Sequence, residues 1–204
     1  MCKMKIIYRL AQIISYQYFK IFHRIEISGL ENIPAQGSFI LACNHASFFD
    51  PPAIGCKIPR NLHYFARSSL FRGPLGFLIK NLNSIPVNRD QLDLGTLRTI
   101  LRILKNGDPI LVFPEGTRSQ KGKLQEAQKG LGLLVVKSGA SVIPARISGT
   151  NEVLGKGMMF PRLGRKVELR LGKEIHKNQL IDTDVIKERY QNISDKVMSE
   201  ISLL

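Results

Sequence analysis

Apolar residues recur along this chain in two rhythms, one near the 3.6-residue spacing of helices and one of short continuous runs, and the two alternate. Residues 1 to 25 open with the first rhythm: Ile6, Leu10, Ile13, Ile14, Ile21 and Phe22 recur at helical spacing, while Arg9, Gln12, Ser15 and Gln17 interrupt any continuous apolar run. Residues 24–29 alternate apolar and polar positions and predict a first strand. A loop over 32–37 leads into a second strand, 38–43, whose unbroken apolar character predicts burial on both faces. Pro51 and Pro52 suit the first turn of a helix, with Asp50 at its N-cap. A third strand follows at 62–66, then helical turns over 69–82 broken at Gly73-Pro74, then a short segment over 84–89. Leu94, Leu97, Leu101 and Leu104 share one face of a helix over 91–105, which Asn106-Gly107 stops. Strand 110–113, helix 126–138 ending at Gly139, and strand 141–147 come next. A loose stretch, 155–161, contains Met158, Met159 and Phe160 and reads as a lid, a membrane-dipping loop or a plain surface loop. A late strand over 166–171 and a helix from 182 onward complete the order.

Strands alternating with helices through short connections predict an α/β domain with a largely parallel sheet flanked by helices. Its predicted extent is 24–204, and residues 1–23 form an amphipathic helical extension. That extension carries Lys3, Lys5, Arg9 and Lys20 and no acidic residue. It is too polar for a transmembrane span, which needs about 20 apolar residues, and it lacks the cleavage site of a secretory signal. A basic amphipathic helix lying in the membrane interface fits this composition, and packing of its apolar face on the domain is the competing reading.

Length and charge narrow the picture. The 204 residues suffice for one well-packed domain, and 30 Lys and Arg against 16 Asp and Glu leave a net charge of +14. Such an excess favours an anionic partner, either nucleic acid or an anionic membrane surface. Basic residues interleaved with stacking aromatics are absent, as is a zinc-ligand pattern, so no nucleic acid is expected. The three cysteines, Cys2, Cys43 and Cys56, lack the spacing of a disulfide framework or metal site. Cys43 beside His45 suggests a Cys-His nucleophile, but it ends an apolar run and adjacent strand residues point to opposite faces.

Two strand-end loops carry the candidate chemistry. In Asn44-His45-Ala46-Ser47-Phe48-Phe49-Asp50, an imidazole and a carboxylate five positions apart can meet across one turn. A neutral histidine, with a reference pKa of about 6.5, can take a proton from a hydroxyl, and the carboxylate would orient the ring. In Phe113-Pro114-Glu115-Gly116-Thr117-Arg118-Ser119, a glycine, a hydroxyl and an arginine come together as a phosphate requires. Arg118 would grip the phosphate, Gly116 would let backbone N–H groups approach, and Thr117 would add a donor. Glu115 would position Arg118 or the loop, and Asn44 would orient its own loop or simply form the turn.

These two stretches resemble the first and third signature blocks of the glycerolipid acyltransferases, the family that includes 1-acylglycerol-3-phosphate acyltransferase. Ser84-Ile85-Pro86-Val87-Asn88-Arg89 and Ser141-Val142-Ile143-Pro144-Ala145-Arg146-Ile147 resemble two further blocks in the family's order. The resemblance implies transfer of a fatty acyl group from an acyl thioester to the free hydroxyl of 1-acylglycerol-3-phosphate, giving phosphatidate. It implies no metal, no cofactor and no covalent acyl-enzyme, with acyl-CoA or acyl carrier protein as co-substrate. It also implies association with the phospholipid bilayer at its cytoplasmic face. On this resemblance His45 and Asp50 are catalytic, and Asn44, Arg89, Glu115, Gly116, Thr117 and Arg118 serve substrate binding. Lys129-Gly130 matches a family pair on the substrate side. Many members carry a lysine and then an acidic residue where Arg67 and Ser69 stand here, so Arg67 is the matching oxyanion or acceptor contact with altered geometry. Glycerol-3-phosphate or another lysolipid remains an alternative acceptor, and a non-enzymatic basic lipid- or nucleic-acid-binding protein is the alternative of a different class.

Overall fold

Strand β2, Phe39–Cys43, is buried along its whole length. It lies at the centre of the larger sheet because its side chains are apolar on both faces. In a computed structural model that describes residues 6–87, 94–120, 122–181 and 186–204, β2 pairs in parallel with β5, Ile110–Val112, on one side and β6, Ser141–Ser148, on the other. The other two strands of the sheet are β1, Ile25–Ser28, and β7, Val167–Leu171. The sheet order is β1-β7-β6-β2-β5, with three parallel pairings and one antiparallel pairing, between β6 and β7. A smaller parallel pair, β3 (Tyr64–Arg67) and β4 (Ser84–Val87), adjoins β5 through a bridge between His63 and Ile110.

The twofold alternation of β2 divides the core. Phe39, Leu41 and Cys43 face a layer that includes α1 (Ile6–His23) and α2 (Asp50–Gly55). Ile40 and Ala42 face the opposite layer of α4 (Leu94–Lys105), α5 (Gly130–Ser138) and α8 (Ile186–Leu203). Between them in sequence come α3 (Gly73–Asn81), α6 (Thr150–Leu154) and α7 (Lys177–Leu180). The predicted α/β fold is therefore present.

Several boundaries differ from those expected. Asp50 is the first residue of α2, with Phe49 at the N-cap, because the Asp50 carboxylate turns back to the chain before the helix. Helix α5 begins at Gly130, later than the expected 126. The preceding stretch forms no helix, and the Gln128 N–H donates instead to the carbonyl of Pro114 (2.8 Å). The short helices α6 and α7 carry too few apolar repeats to be read from periodicity. The expected helix starts at 91 and 182 lie outside the described residues, as does Arg89.

Helix α1 packs one face on the domain, as the competing reading expects, and leaves the other bare. It docks on the domain through Tyr8, Gln12, Phe19 and His23, all buried. Gln12, which interrupts the apolar pattern in sequence, donates through Nε2 to the carbonyls of Gly55 (2.8 Å) and Ile58 (2.9 Å). It thereby satisfies acceptors left open where α2 ends. The Tyr8 hydroxyl accepts from the backbone N–H of Leu62 (3.0 Å) and contacts the Tyr64 hydroxyl (3.0 Å). The aliphatic residues Ile6, Leu10, Ile13, Ile14 and Ile21 remain exposed on the other side. Among the described residues no helix is long and apolar enough to cross a membrane.

The docking of α1 is testable at Tyr8. Tyr8→Phe keeps the ring and strands the buried Leu62 N–H without an acceptor, which costs about 1–3 kcal/mol. Urea denaturation in detergent should show that loss, and an unchanged midpoint would mean that α1 is held by its apolar contacts alone.

Candidate active site

The parallel strands β2, β5 and β6 end on the same edge of the sheet, and the loops leaving them converge there. Past the end of β2, the amide of Asn44 is tied to the end of β6. Its Nδ2 donates to the Ile147 carbonyl (2.9 Å), and its Oδ1 accepts from the Ile147 N–H (2.8 Å). This pair of bonds fixes the direction in which the next residue leaves the sheet.

That residue is His45. Its Nδ1 lies 2.7 Å from Asp50 Oδ2, and the same oxygen accepts from the backbone N–H groups of Ala46 (2.6 Å) and Ser47 (2.8 Å). Asp50 Oδ1 accepts from the hydroxyl of Thr150 at 2.6 Å. Asp50 is fully buried, so its charge rests on these four donors in place of water. An ionised carboxylate only accepts, which places the proton of the neutral imidazole on Nδ1 and leaves the lone pair on Nε2. The imidazole stacks on the Phe113 ring, with centroids 3.9 Å apart and planes 12° from parallel.

The loop after β5 is fastened to His45 by its main chain. Glu115 Oε1 accepts from the His45 N–H (3.0 Å), and the Ser119 N–H donates to the His45 carbonyl (2.7 Å). Glu115 Oε2 accepts from Gln125 Nε2 (2.9 Å), so Glu115 holds the two loops together. Burial pushes the Glu115 carboxyl above its usual range, partly offset by the His45 N–H and Gln125. Gly116 adopts a left-handed conformation (φ 69°) at the turn of this loop. Gly116 and Thr117 are exposed, and Arg118 is half-buried with its guanidinium carbon 3.6 Å from the centre of the Phe48 ring.

Of the remaining expected residues, Arg67, Lys129 and Gly130 lie in the described part of the structure. Arg67 is exposed at the C-terminal end of β3, which runs beside β5. Lys129 caps α5, with Gly130 opening the helix, directly after the Gln128 contact to Pro114. Arg89 lies outside the described residues. Cys43 is fully buried, and burial, followed by the Asp50 charge, raises its thiol well above the usual range. A thiol held protonated in this way is no nucleophile.

Sequence reading missed Thr150 and Gln125, and it assigned no part to Phe48 or Phe113. Thr150 had one visible signal, a hydroxyl just beyond a strand end after a glycine. Gly149 there is left-handed (φ 82°), and a Cβ on it would fall 1.9 Å from the Lys166 carbonyl oxygen, so only glycine delivers Thr150 to Asp50.

Comparison with known proteins accords with this geometry. Residues 24–148, which hold every strand that converges on the site, match the family model described as Acyltransferase. A Bacillus subtilis protein named 1-acyl-sn-glycerol-3-phosphate acyltransferase is 27% identical over 157 residues, covering 74% of each chain. The chloroplastic 1-acyl-sn-glycerol-3-phosphate acyltransferase LPAT1 of Arabidopsis thaliana is 29% identical over 159 residues, covering 76% of this chain and 44% of its own. The crystal structure of the 1-acyl-sn-glycerophosphate acyltransferase PlsC from Thermotoga maritima matches with a TM-score of 0.78 at 27% identity, over 96% of this chain and 78% of that one. The family match extends over more than half of the chain and includes both strand-end loops, and the protein therefore belongs to the acyltransferase family.

Proposed function

We propose that this acyltransferase moves a fatty acyl group from a thioester of coenzyme A or acyl carrier protein to the free hydroxyl of 1-acylglycerol-3-phosphate, releasing phosphatidate and the thiol. The observation that carries the mechanism is the buried His45–Asp50 contact at 2.7 Å, with three further donors on the carboxylate. His45 Nε2 takes the proton of the acceptor hydroxyl as its oxygen attacks the thioester carbonyl. Asp50 stabilises the imidazolium that results. Collapse of the tetrahedral intermediate breaks the carbon–sulfur bond, and His45 returns the proton to the departing thiolate. Arg118 grips the acceptor phosphate, and Phe48 keeps its guanidinium plane presented. Arg89, Arg67 and Lys129 are the further cations assigned to the acceptor side. The relatives' names favour lysophosphatidate as acceptor over glycerol-3-phosphate or another lysolipid.

We place the enzyme on the cytoplasmic face of the membrane, held there by α1. Residues 1–23 contain no acid, and the aliphatic face of α1 is exposed.

Removal of the base should nearly abolish turnover. His45→Ala is expected to lower kcat by roughly 10²–10⁴-fold with the fold preserved by circular dichroism. Asp50→Asn should lose activity as well, because the amide cannot hold the ring in the same tautomer and charge state. Near-normal turnover by a folded His45→Ala protein would sink the mechanism.

Arg118→Ala should act through the acceptor. Loss of a charge-assisted contact costs about 1.5–3 kcal/mol, a roughly ten- to hundredfold loss of kcat/KM for lysophosphatidate. Separate titration of the two substrates gives the comparison, since an equal defect toward the acyl thioester would make Arg118 structural.

Thr150 provides a finer test of the buried carboxylate. Thr150→Val removes one of four donors and should lower kcat about tenfold or more, whereas Thr150→Ser keeps the hydroxyl and should restore most of the rate. A loss in Thr150→Ser with near-normal turnover in Thr150→Val, which keeps the methyl group, would mean that packing matters and the hydrogen bond does not.

A further inference from the structure

The loop that leaves α6 is unusual for an exposed segment. Met159 is 85% exposed, Phe160 75% and Leu163 59%, yet the loop is fastened at both sides of its tip. The Arg162 N–H donates to the Val153 carbonyl (2.8 Å), and the Gly164 N–H donates to the carbonyl of Phe22 at the end of α1 (2.8 Å). Gly164 turns the chain in the left-handed region (φ 77°) to make that contact. Burying apolar side chains is favourable, so a fold that holds two of its largest ones outward on a braced loop leaves about the burial of a Met and a Phe unused in water.

The bond to Phe22 fastens this loop to the end of α1, where Ile21 (69% exposed) and Phe22 (42%) are also bare. The charge of both segments has one sign. Residues 1–25 contain no acid, and neither do residues 156–166, which contribute exposed Lys156, Arg162 and Arg165. The neighbouring Lys166 is already paired with Glu26 (2.7 Å). Apolar side chains ringed by cations fit the interface of an anionic bilayer, where the rings and thioether enter the acyl region and the cations meet headgroups.

The loop is also coupled to the site. It leaves α6, whose Thr150 donates to Asp50 and whose Leu154 carbonyl accepts from the hydroxyl of Ser47 (2.7 Å). We propose that residues 158–164 form a second membrane-inserting element, which together with α1 sets the orientation of the His45–Asp50 site against an anionic phospholipid surface. One contact along a single helix leaves the domain free to roll about the helix axis. A second contact off that axis removes this freedom and holds the site at the depth of the lysolipid headgroup. The inference rests on the reading above that the acceptor is a bilayer lipid.

The chain contains no tryptophan, so Phe160→Trp gives a single spectroscopic reporter at the tip. On vesicles of phosphatidylglycerol and phosphatidylcholine its emission should shift to the blue and be quenched by lipids brominated on their acyl chains. Met159→Ser with Phe160→Ser should bind those vesicles about tenfold more weakly. The same pair should slow turnover on vesicle-borne acceptor while leaving turnover on detergent-dispersed acceptor unchanged. Unshifted, unquenched emission from protein that floats with the vesicles would overturn the proposal, because α1 alone would then be the anchor. So would a change in oligomeric state of the double variant by light scattering, which would make a second copy the occupant. Failure of the unaltered protein to acylate lysophosphatidate in detergent would reject the acceptor assignment instead, while the emission readout, independent of turnover, still decides the insertion.

Discussion

The structure depends on a buried carboxylate. Asp50 has no contact with water, and an ion in that position is tolerable only when donors replace its hydration. Its four partners come from two pieces of chain: the imidazole and two backbone N–H groups from the loop after β2, with the Thr150 hydroxyl from the turn after β6. Satisfying Asp50 therefore assembles the site. The loop after β2 must curl back on itself, the turn after β6 must adopt a left-handed glycine, and both strands must end at the same height.

The second strand-end loop joins this arrangement through main-chain contacts to His45. Glu115 and Ser119 bind its N–H and carbonyl, so the arginine between them is held at a fixed offset from the imidazole. The proposed transfer to a phosphorylated alcohol would use such an offset, because in that acceptor the phosphate and the reacting hydroxyl are separated by a short, constant stretch of glycerol backbone. The aromatic rings contribute geometry of the same kind. Phe113 lies parallel to the imidazole and Phe48 beneath the guanidinium, and each limits the rotation of a polar group without competing for its hydrogen bonds.

Helix α1 links the site to its surroundings. Its aromatic residues Tyr18 and Phe19 pack edge-on against Phe49, the neighbour of Asp50. The surface that faces outward is thus mechanically close to the chemistry. An amphipathic helix with its aliphatic side bare and its aromatic and amide side docked inverts the usual expectation that the most apolar stripe goes inward. The polar docking face is workable because Gln12 and Tyr8 meet backbone groups that would otherwise be unsatisfied.

The alternation of apolar runs and helical repeats determined the α/β class, the buried central strand and the order of the longer elements, because these follow from local periodicity. The spacing of His45 and Asp50 was equally legible, since their contact is made within one turn of chain. The partners of that pair were not. Thr150 lies 100 residues from Asp50, and Gln125 reaches Glu115 across a loop with no regular pattern. Such contacts carry no period, and only the parallel registration of β2, β5 and β6 brings them together. The orientation of α1 was likewise undecided by its sequence, which has apolar residues on more than one face. The open carbonyls of Gly55 and Ile58 and the N–H of Leu62 chose the face that turns inward, and those groups exist at that place only once the domain has folded.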